Sequence, residues 1–307
     1  MANVWDAIRK HQAEQKPVAA KPAPAQIAPA TETPLPTDDK LPQEAPQAQA
    51  APAGTAVSAA SRKASKAGVL LKPASPKPMP RAGQNKDYSE QLVPYHDRGG
   101  LLAEEYRALR TNLLAQCASG RFCYVVTSAE AAEGKTVTCA NLAFVLAERV
   151  DRTTLVVDCD FRRSGLSKLL NVPHHQGMAD YLRGTATLDE LIRPTELPNL
   201  FVLSCGKTKT DEVSELISRP EMETILTELR RRYDHVLIDT PPIAAVADAG
   251  MIGGLVGEAL LVVRMNKTNK ESVERAMNLL AAANVKPVGI VLTHRKYHIP
   301  KYIYRYS

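Results

Sequence analysis

Tyr124-Val-Val-Thr-Ser-Ala-Glu-Ala-Ala-Glu-Gly-Lys-Thr136, followed by the apolar run Val137–Leu146, reads as a strand, a loop and a helix in direct succession. The loop fits the phosphate-binding pattern G-x-x-x-x-G-K-[ST], with Ala129 where the pattern has its first glycine. Gly134 would let the backbone approach phosphate oxygens, and N–H groups at the helix start would cradle them. Ala129, Glu130, Ala131, Ala132, Glu133, Gly134, Lys135, Thr136 and Val137 are therefore the candidate nucleotide contacts. In this pattern the lysine, Lys135, reaches the β/γ-phosphates and the hydroxyl of Thr136 ligates Mg²⁺. Lys135 is expected to serve phosphate and no core contact, so that Lys135→Met should spare the fold. By itself the segment also fits a plain strand–turn–helix.

Two further strand ends carry acid. Leu155-Val-Val-Asp158-Cys-Asp160-Phe-Arg162 is an apolar run closed by two carboxylates and a cation, and Val236-Leu-Ile-Asp239-Thr-Pro-Pro242 is a second run closed by one carboxylate. Charge is costly inside a sheet, yet the carboxyl ends of strands are where ligands bind in open α/β sheets. Mg²⁺ takes one or two carboxylates together with waters and phosphate oxygens. Each Asp alone could be an ordinary helix N-cap. Three such strand ends together point to Mg-nucleotide chemistry.

Short apolar runs recur at Phe122–Val126, Thr154–Val157, Leu200–Leu203, His235–Ile238, Ala259–Val263 and Val288–Leu292. They alternate with helical patterns such as Thr136–Arg149, Pro220–Arg232 and Lys270–Asn284. Val/Ile/Leu runs without polar alternation are strands buried on both faces. The expected fold class is α/β: a P-loop NTPase with a mostly parallel sheet and helices on both faces.

Composition divides the 307 residues unevenly, with fourteen of the 22 prolines lying between Pro17 and Pro94. That stretch has too few large apolar residues to offset the entropy of ordering it. Residues 1–15 read as a short amphipathic helix with Val4, Trp5 and Ile8 on its apolar face, and 16–96 as a disordered Ala/Pro-rich linker. Residues 97–293 read as the P-loop domain and 294–307 as a flexible tail. The net charge of +6 is local, concentrated in Arg62, Lys63, Lys66, Lys72, Lys77 and Arg81 and in Arg295, Lys296, Lys301 and Arg305. No nucleic-acid partner is expected from it; a solvated linker or an anionic surface accounts for such runs. Five scattered cysteines without a C-x-x-C pair fit a reducing cytosol. No apolar signal segment stands at the N-terminus, and the longest apolar stretch, near Gly250–Val263, is interrupted by Glu258. The chain is expected to be cytoplasmic and to reach a membrane only through a partner.

The residues quoted above resemble those of the bacterial tyrosine kinase family, which carries a Walker A loop, an Asp-x-Asp-x-Arg site called Walker A′, and a Walker B strand. Here these would be Ala129–Thr136, Asp158–Arg162 and Asp239–Pro242. Two further marks agree. Glu104-Glu-Tyr-Arg107-Ala-Leu-Arg110 matches the family's Glu-x-x-Arg-x-x-Arg pattern, associated with assembly into rings, and its spacing puts all three charges on one helix face. Tyr297, Tyr302, Tyr304 and Tyr306 crowd the last eleven residues, where the family has its autophosphorylation sites. Without the other marks, the first would read as a solvated ion-pair ladder and the second as an aromatic anchor. The related partitioning ATPases share the fold, but they carry a second lysine early in the loop and lack a tyrosine tail.

The resemblance implies an ATP-dependent protein-tyrosine kinase that uses ATP and Mg²⁺ and phosphorylates its own tail in trans within a ring-like homo-oligomer. It further implies a separate membrane-bound polysaccharide co-polymerase, or chain-length regulator, as activator, and a role in capsule or exopolysaccharide synthesis and export. Among the implied roles, Lys135 stabilises γ-phosphate charge, Asp158 is favoured as base over Asp160, and Thr136, Asp160 and Asp239 hold the metal. Arg162 either stabilises phosphate charge or pairs with Asp160.

Overall fold

The acidic strand ends meet because the strands that carry them are neighbours. The structure is a computed structural model and describes residues 88–295. Its strands are β1 (Phe122–Ser128), β2 (Thr154–Asp158), β3 (Ile192–Pro194), β4 (Leu200–Leu203), β5 (His235–Asp239), β6 (Glu258–Arg264) and β7 (Lys286–Thr293). They form one sheet in the order β3-β4-β2-β5-β1-β6-β7. Every pairing is parallel except β3 with β4. Asp158 stands opposite Asp239 in the β2–β5 register, and Val126 opposite Asp239 in the β1–β5 register. The phosphate loop and both acidic strand ends therefore share one edge of the sheet.

Ten helices complete the described chain: α1 (Val93–His96), α2 (Leu101–Ala115), α3 (Lys135–Ala147), α4 (Gly165–Leu169), α5 (Met178–Leu182), α6 (Leu188–Leu191), α7 (Val213–Ile217), α8 (Pro220–Arg232), α9 (Asp248–Val256) and α10 (Lys270–Ala282). None of the described helices is long and apolar enough to cross a membrane. Alternate residues of each central strand enter opposite layers. Val125, Leu155, Val157, Val236 and Ile238 pack in one cluster with α8, α9 and α10, while Tyr124, Val126, Val156 and Leu237 pack in the other with α3. Helix α3 is apolar on nearly every side and is buried on nearly every side, as a helix sandwiched between two layers must be. Each of its fully buried leucines and valines contributes roughly 1.5–3 kcal/mol relative to exposure.

Two features differ from the expectation. Strand β3 was not expected, because three residues ending in Pro194 carry no strand periodicity; as the antiparallel edge strand it can tolerate a residue without an N–H. Residues 88–96, assigned above to the linker, pack onto the core. Tyr88, Leu92 and Tyr95 are buried, and the rings of Tyr88 and Tyr95 meet Phe144 of α3 edge-on at 5.8 and 5.7 Å. Asn141 of α3 also donates to the Gln91 carbonyl at 2.9 Å. Composition averaged over the proline-rich stretch hid three large side chains at its end. The expected helix at 1–15, the rest of the linker and the tail from 296 lie outside the described residues.

His235 opens β5 at the edge remote from the acids. Its Nε2 donates to the Gly120 carbonyl at 3.1 Å, and its Nδ1 lies 3.3 Å from the Thr154 hydroxyl, from which the neutral ring accepts. Burial pushes its pKa down to about 4, against a smaller opposing effect of the Gly120 bond. A base with a depressed folded-state pKa contributes stability that is present above its unfolded value, near 6.5, and lost as pH falls toward about 4. Going from pH 7.5 to 5 should therefore cost about 2 kcal/mol through this residue. His235→Gln keeps a donor and an acceptor without the titration. The variant should lose clearly less melting temperature between pH 7.5 and 5 than the parent; equal losses would show that His235 does not govern acid sensitivity.

Candidate nucleotide site

The loop between β1 and α3 is braced by its own acids. Ala132 and Gly134 both lie in the left-handed region, with φ of 61° and 91°. Glycine accepts this freely, whereas alanine there costs on the order of 1 kcal/mol and must be held. Glu133 does much of the holding. Its side chain is buried, accepts from the Glu130 N–H at 2.7 Å and the Arg264 N–H at 3.2 Å, and also accepts the Thr268 hydroxyl. Glu130 in turn accepts from the Ser272 hydroxyl at 2.6 Å. The loop is thus anchored to the end of β6 and the start of α10. Ala131 stays exposed, and Val137 is half-buried on the first turn of α3.

Lys135 brings the three motifs together. Its Nζ donates to Asp160 Oδ2 at 2.8 Å, to Asp239 Oδ1 at 3.3 Å and to Thr136 Oγ1 at 3.2 Å. Burial works against its charge, but Asp239 and Asp160 outweigh that and hold its pKa above the ordinary lysine value. Asp158 is fully buried and accepts the Asp160 N–H through Oδ1 at 3.1 Å. Burial first, and the neighbouring Asp239 second, push Asp158 well above the usual carboxylate range. Burial likewise raises Asp239, to about 6, although Lys135 and the Thr136 hydroxyl pull it back.

Asp158 Oδ2 and Asp239 Oδ2 are buried without any hydrogen-bond partner. Buried carboxylate oxygens left bare are costly, and here two of them share the ligand-binding edge of the sheet. Among the described residues no group of three or more His, Cys, Asp or Glu forms a ready metal cage. The residues fit Mg²⁺ with nucleotide all the same, because that ion needs only one or two carboxylates and takes its remaining ligands from water and phosphate.

Arg162 is not paired with Asp160, whose partner is Lys135. Its Nε instead donates to Asp248 Oδ2 at 3.1 Å, from the first residue of α9. Sequence reasoning missed Asp248. The available signal was a lone acid inside the apolar stretch Ile243–Val256.

Glu104, Arg107 and Arg110 lie on α2 and point two ways. Arg107 and Arg110 turn inward and share Glu148, just beyond the end of α3, at 2.6 and 2.7 Å. Arg107 also donates to the Arg98 carbonyl at 2.7 Å. Glu104 pairs with Arg107 at 2.5 Å, with 60% of its side chain exposed. The two arginines clamp α2 to α3, and only Glu104 offers most of its surface outward.

Several known proteins are similar to this chain. Residues 126–272 match the family model described as an AAA domain. The chain is 33% identical over 199 residues to the putative tyrosine-protein kinase CapB of Staphylococcus aureus, covering 64% of this chain and 86% of that protein. It is 36% identical over 190 residues to the tyrosine-protein kinase ptk of Acinetobacter johnsonii, covering 62% of this chain and 26% of that one. It thus spans nearly all of one relative and about a quarter of the other. Among solved structures, the kinase domain of the Escherichia coli tyrosine kinase ETK superposes with a TM-score of 0.63 at 29% identity, covering 70% of this chain and 86% of that domain.

Proposed function

The chain belongs to the bacterial tyrosine kinase family, and from that premise we propose that it transfers the γ-phosphoryl group of Mg-ATP to tyrosine, its own C-terminal tyrosines included. The observation that carries this reading is Lys135 held between Asp160 and Asp239, beside two bare buried carboxylate oxygens. Phosphoryl transfer asks mainly for positioning and charge stabilisation. The backbone of 129–137 cradles the phosphates, and Lys135 exchanges its carboxylate partners for them. Thr136, Asp160 and Asp239 are the residues that would hold Mg²⁺, which when bound neutralises charge on the phosphate oxygens. Asp158 takes the acceptor's proton. A phenol ordinarily ionises near pH 10, and a carboxylate with raised proton affinity is the better acceptor for it. Arg162, held by Asp248, supplies positive charge beside this edge.

Tyr297, Tyr302, Tyr304 and Tyr306 are the proposed acceptors, reached in trans within a ring of copies. Each phosphate brings about −1.5 to −2 charges, so modified tails repel one another and favour disassembly. A separate membrane-bound polysaccharide co-polymerase is the proposed activator. It would hold a cytoplasmic kinase at the inner face of the membrane and place it in capsule or exopolysaccharide export. Incubation with labelled ATP and Mg²⁺, followed by phosphoamino-acid analysis, should yield phosphotyrosine. Released phosphate without any phosphotyrosine, in the presence of the activator, would instead favour a partitioning-type ATPase.

The clamp on α2 decides how assembly should be tested. Removing Arg107 or Arg110 loosens the α2–α3 contact as well as any interface. Glu104→Lys reverses a largely exposed carboxylate, and the surface pair with Arg107 that it breaks is worth at most about 1 kcal/mol; it should convert oligomer to monomer in light scattering with little change in melting temperature. Oligomers unchanged by that reversal would remove Glu104 from the interface.

A further inference from the structure

We propose that Thr293, the last residue of β7, is a positioning residue of the phosphate loop: its hydroxyl fixes the peptide between Glu133 and Gly134. The inference rests on the nucleotide reading given above and adds a residue that the loop motif does not contain. Thr293 Oγ1 donates to the Glu133 carbonyl at 2.6 Å. A Cβ added to Gly134 would lie 3.6 Å from the Thr293 methyl, so the threonine stands directly against the turn. Thr293 is itself held, since its carbonyl accepts the Met265 N–H at 3.1 Å just beyond β6.

The consequence follows from peptide geometry. A trans peptide is planar, with its C=O and N–H on opposite sides. Holding the Glu133 carbonyl toward β7 therefore turns the Gly134 N–H away from β7. Ala132 and Gly134, the left-handed residues on either side, give the backbone the alternation that makes an anion-binding nest. Glu133 is thus secured twice, its side chain by Arg264 and Thr268 and its carbonyl by Thr293. Without the hydroxyl, only the side-chain anchor remains, and the peptide is free to rotate its N–H out of the nest. The strand that leads into the tyrosine tail thereby becomes part of the phosphate site.

Thr293→Val removes the hydroxyl and keeps the shape, while Thr293→Ser keeps the hydroxyl. Fluorescent ADP with Mg²⁺, titrated into the full-length chain, should bind the valine variant about fivefold more weakly, the effect of one lost hydrogen bond. The serine variant should bind within twofold of the parent. KM for ATP should rise in the valine variant more than kcat falls, and its melting temperature should stay close to the parent's. Parent-like binding by Thr293→Val would overturn the proposal, and so would equal weakening in both variants, which would mean packing rather than the hydroxyl. A parent that fails to bind ADP would overturn the nucleotide reading and this inference with it.

Discussion

Lys135→Met should abolish phosphotyrosine formation and, in addition, destabilise the fold by about 3–5 kcal/mol. The second effect reverses the expectation from sequence, which gave this lysine no partner inside the protein. Lys135 is only 8% exposed and pairs with Asp160 and Asp239, both more deeply buried than itself. Methionine fills the space but leaves two carboxylates facing each other beside Asp158. The cost should depend on pH with a definite sign. Asp239 already has a folded-state pKa raised to about 6 from 3.8, so its contribution is fully present below 3.8 and lost as pH rises through about 6. Removing the cation raises that value further, so the variant's deficit in melting temperature should be larger at pH 8 than at pH 5.5. Adding Asp160→Asn should recover part of the stability and none of the activity. A variant as stable as the parent at pH 8 would mean that the pairing with Asp160 and Asp239 contributes nothing to the fold.

Short-range features were legible in the sequence, and partners far apart in it were not. Strands β1, β2 and β5 could be read because both of their faces are buried, which forces an uninterrupted apolar run. The carboxylates could be placed at one edge because parallel strands end on the same side. Which cation met which acid was not encoded locally. Lys135 reaches Asp239 across 104 positions, Arg162 reaches Asp248 across 86, and Arg107 reaches Glu148 across 41. In each case several acids were available, and packing chose among them. The Glu-x-x-Arg-x-x-Arg spacing placed three charges near one another on α2, but not that two of them turn to Glu148 while Glu104 faces mostly solvent, a division that periodicity alone does not contain. Residues 88–96 show the same limit, since their proline-rich neighbours dominated the composition while Tyr88, Leu92 and Tyr95 determined the packing.

Replacing Tyr297, Tyr302, Tyr304 and Tyr306 together with Phe should eliminate nearly all phosphotyrosine while leaving ADP affinity unchanged. These positions lie outside the described residues. The tail begins after Thr293, beside the phosphate loop, and Arg295 reaches the Glu105 carboxylate of α2 at 3.7 Å. Residues 294–307 include Arg295, Lys296, Lys301 and Arg305 and no acid, so the unmodified tail is cationic. Four phosphates would add about −6 to −8 charges and reverse its sign. Attraction to the acids of α2 would become repulsion, and neighbouring tails would repel one another. Phenylalanine keeps the aromatic surface and removes only the acceptor oxygen. If the tail serves as packing alone, the variant should match the parent in assembly, with or without ATP. If it is the substrate, the parent should dissociate on incubation with Mg-ATP and the variant should remain assembled, as light scattering will report. Mass spectrometry of the parent after incubation with Mg-ATP and its activator gives the sharper reading. A tail that remains unmodified there would end the autokinase proposal.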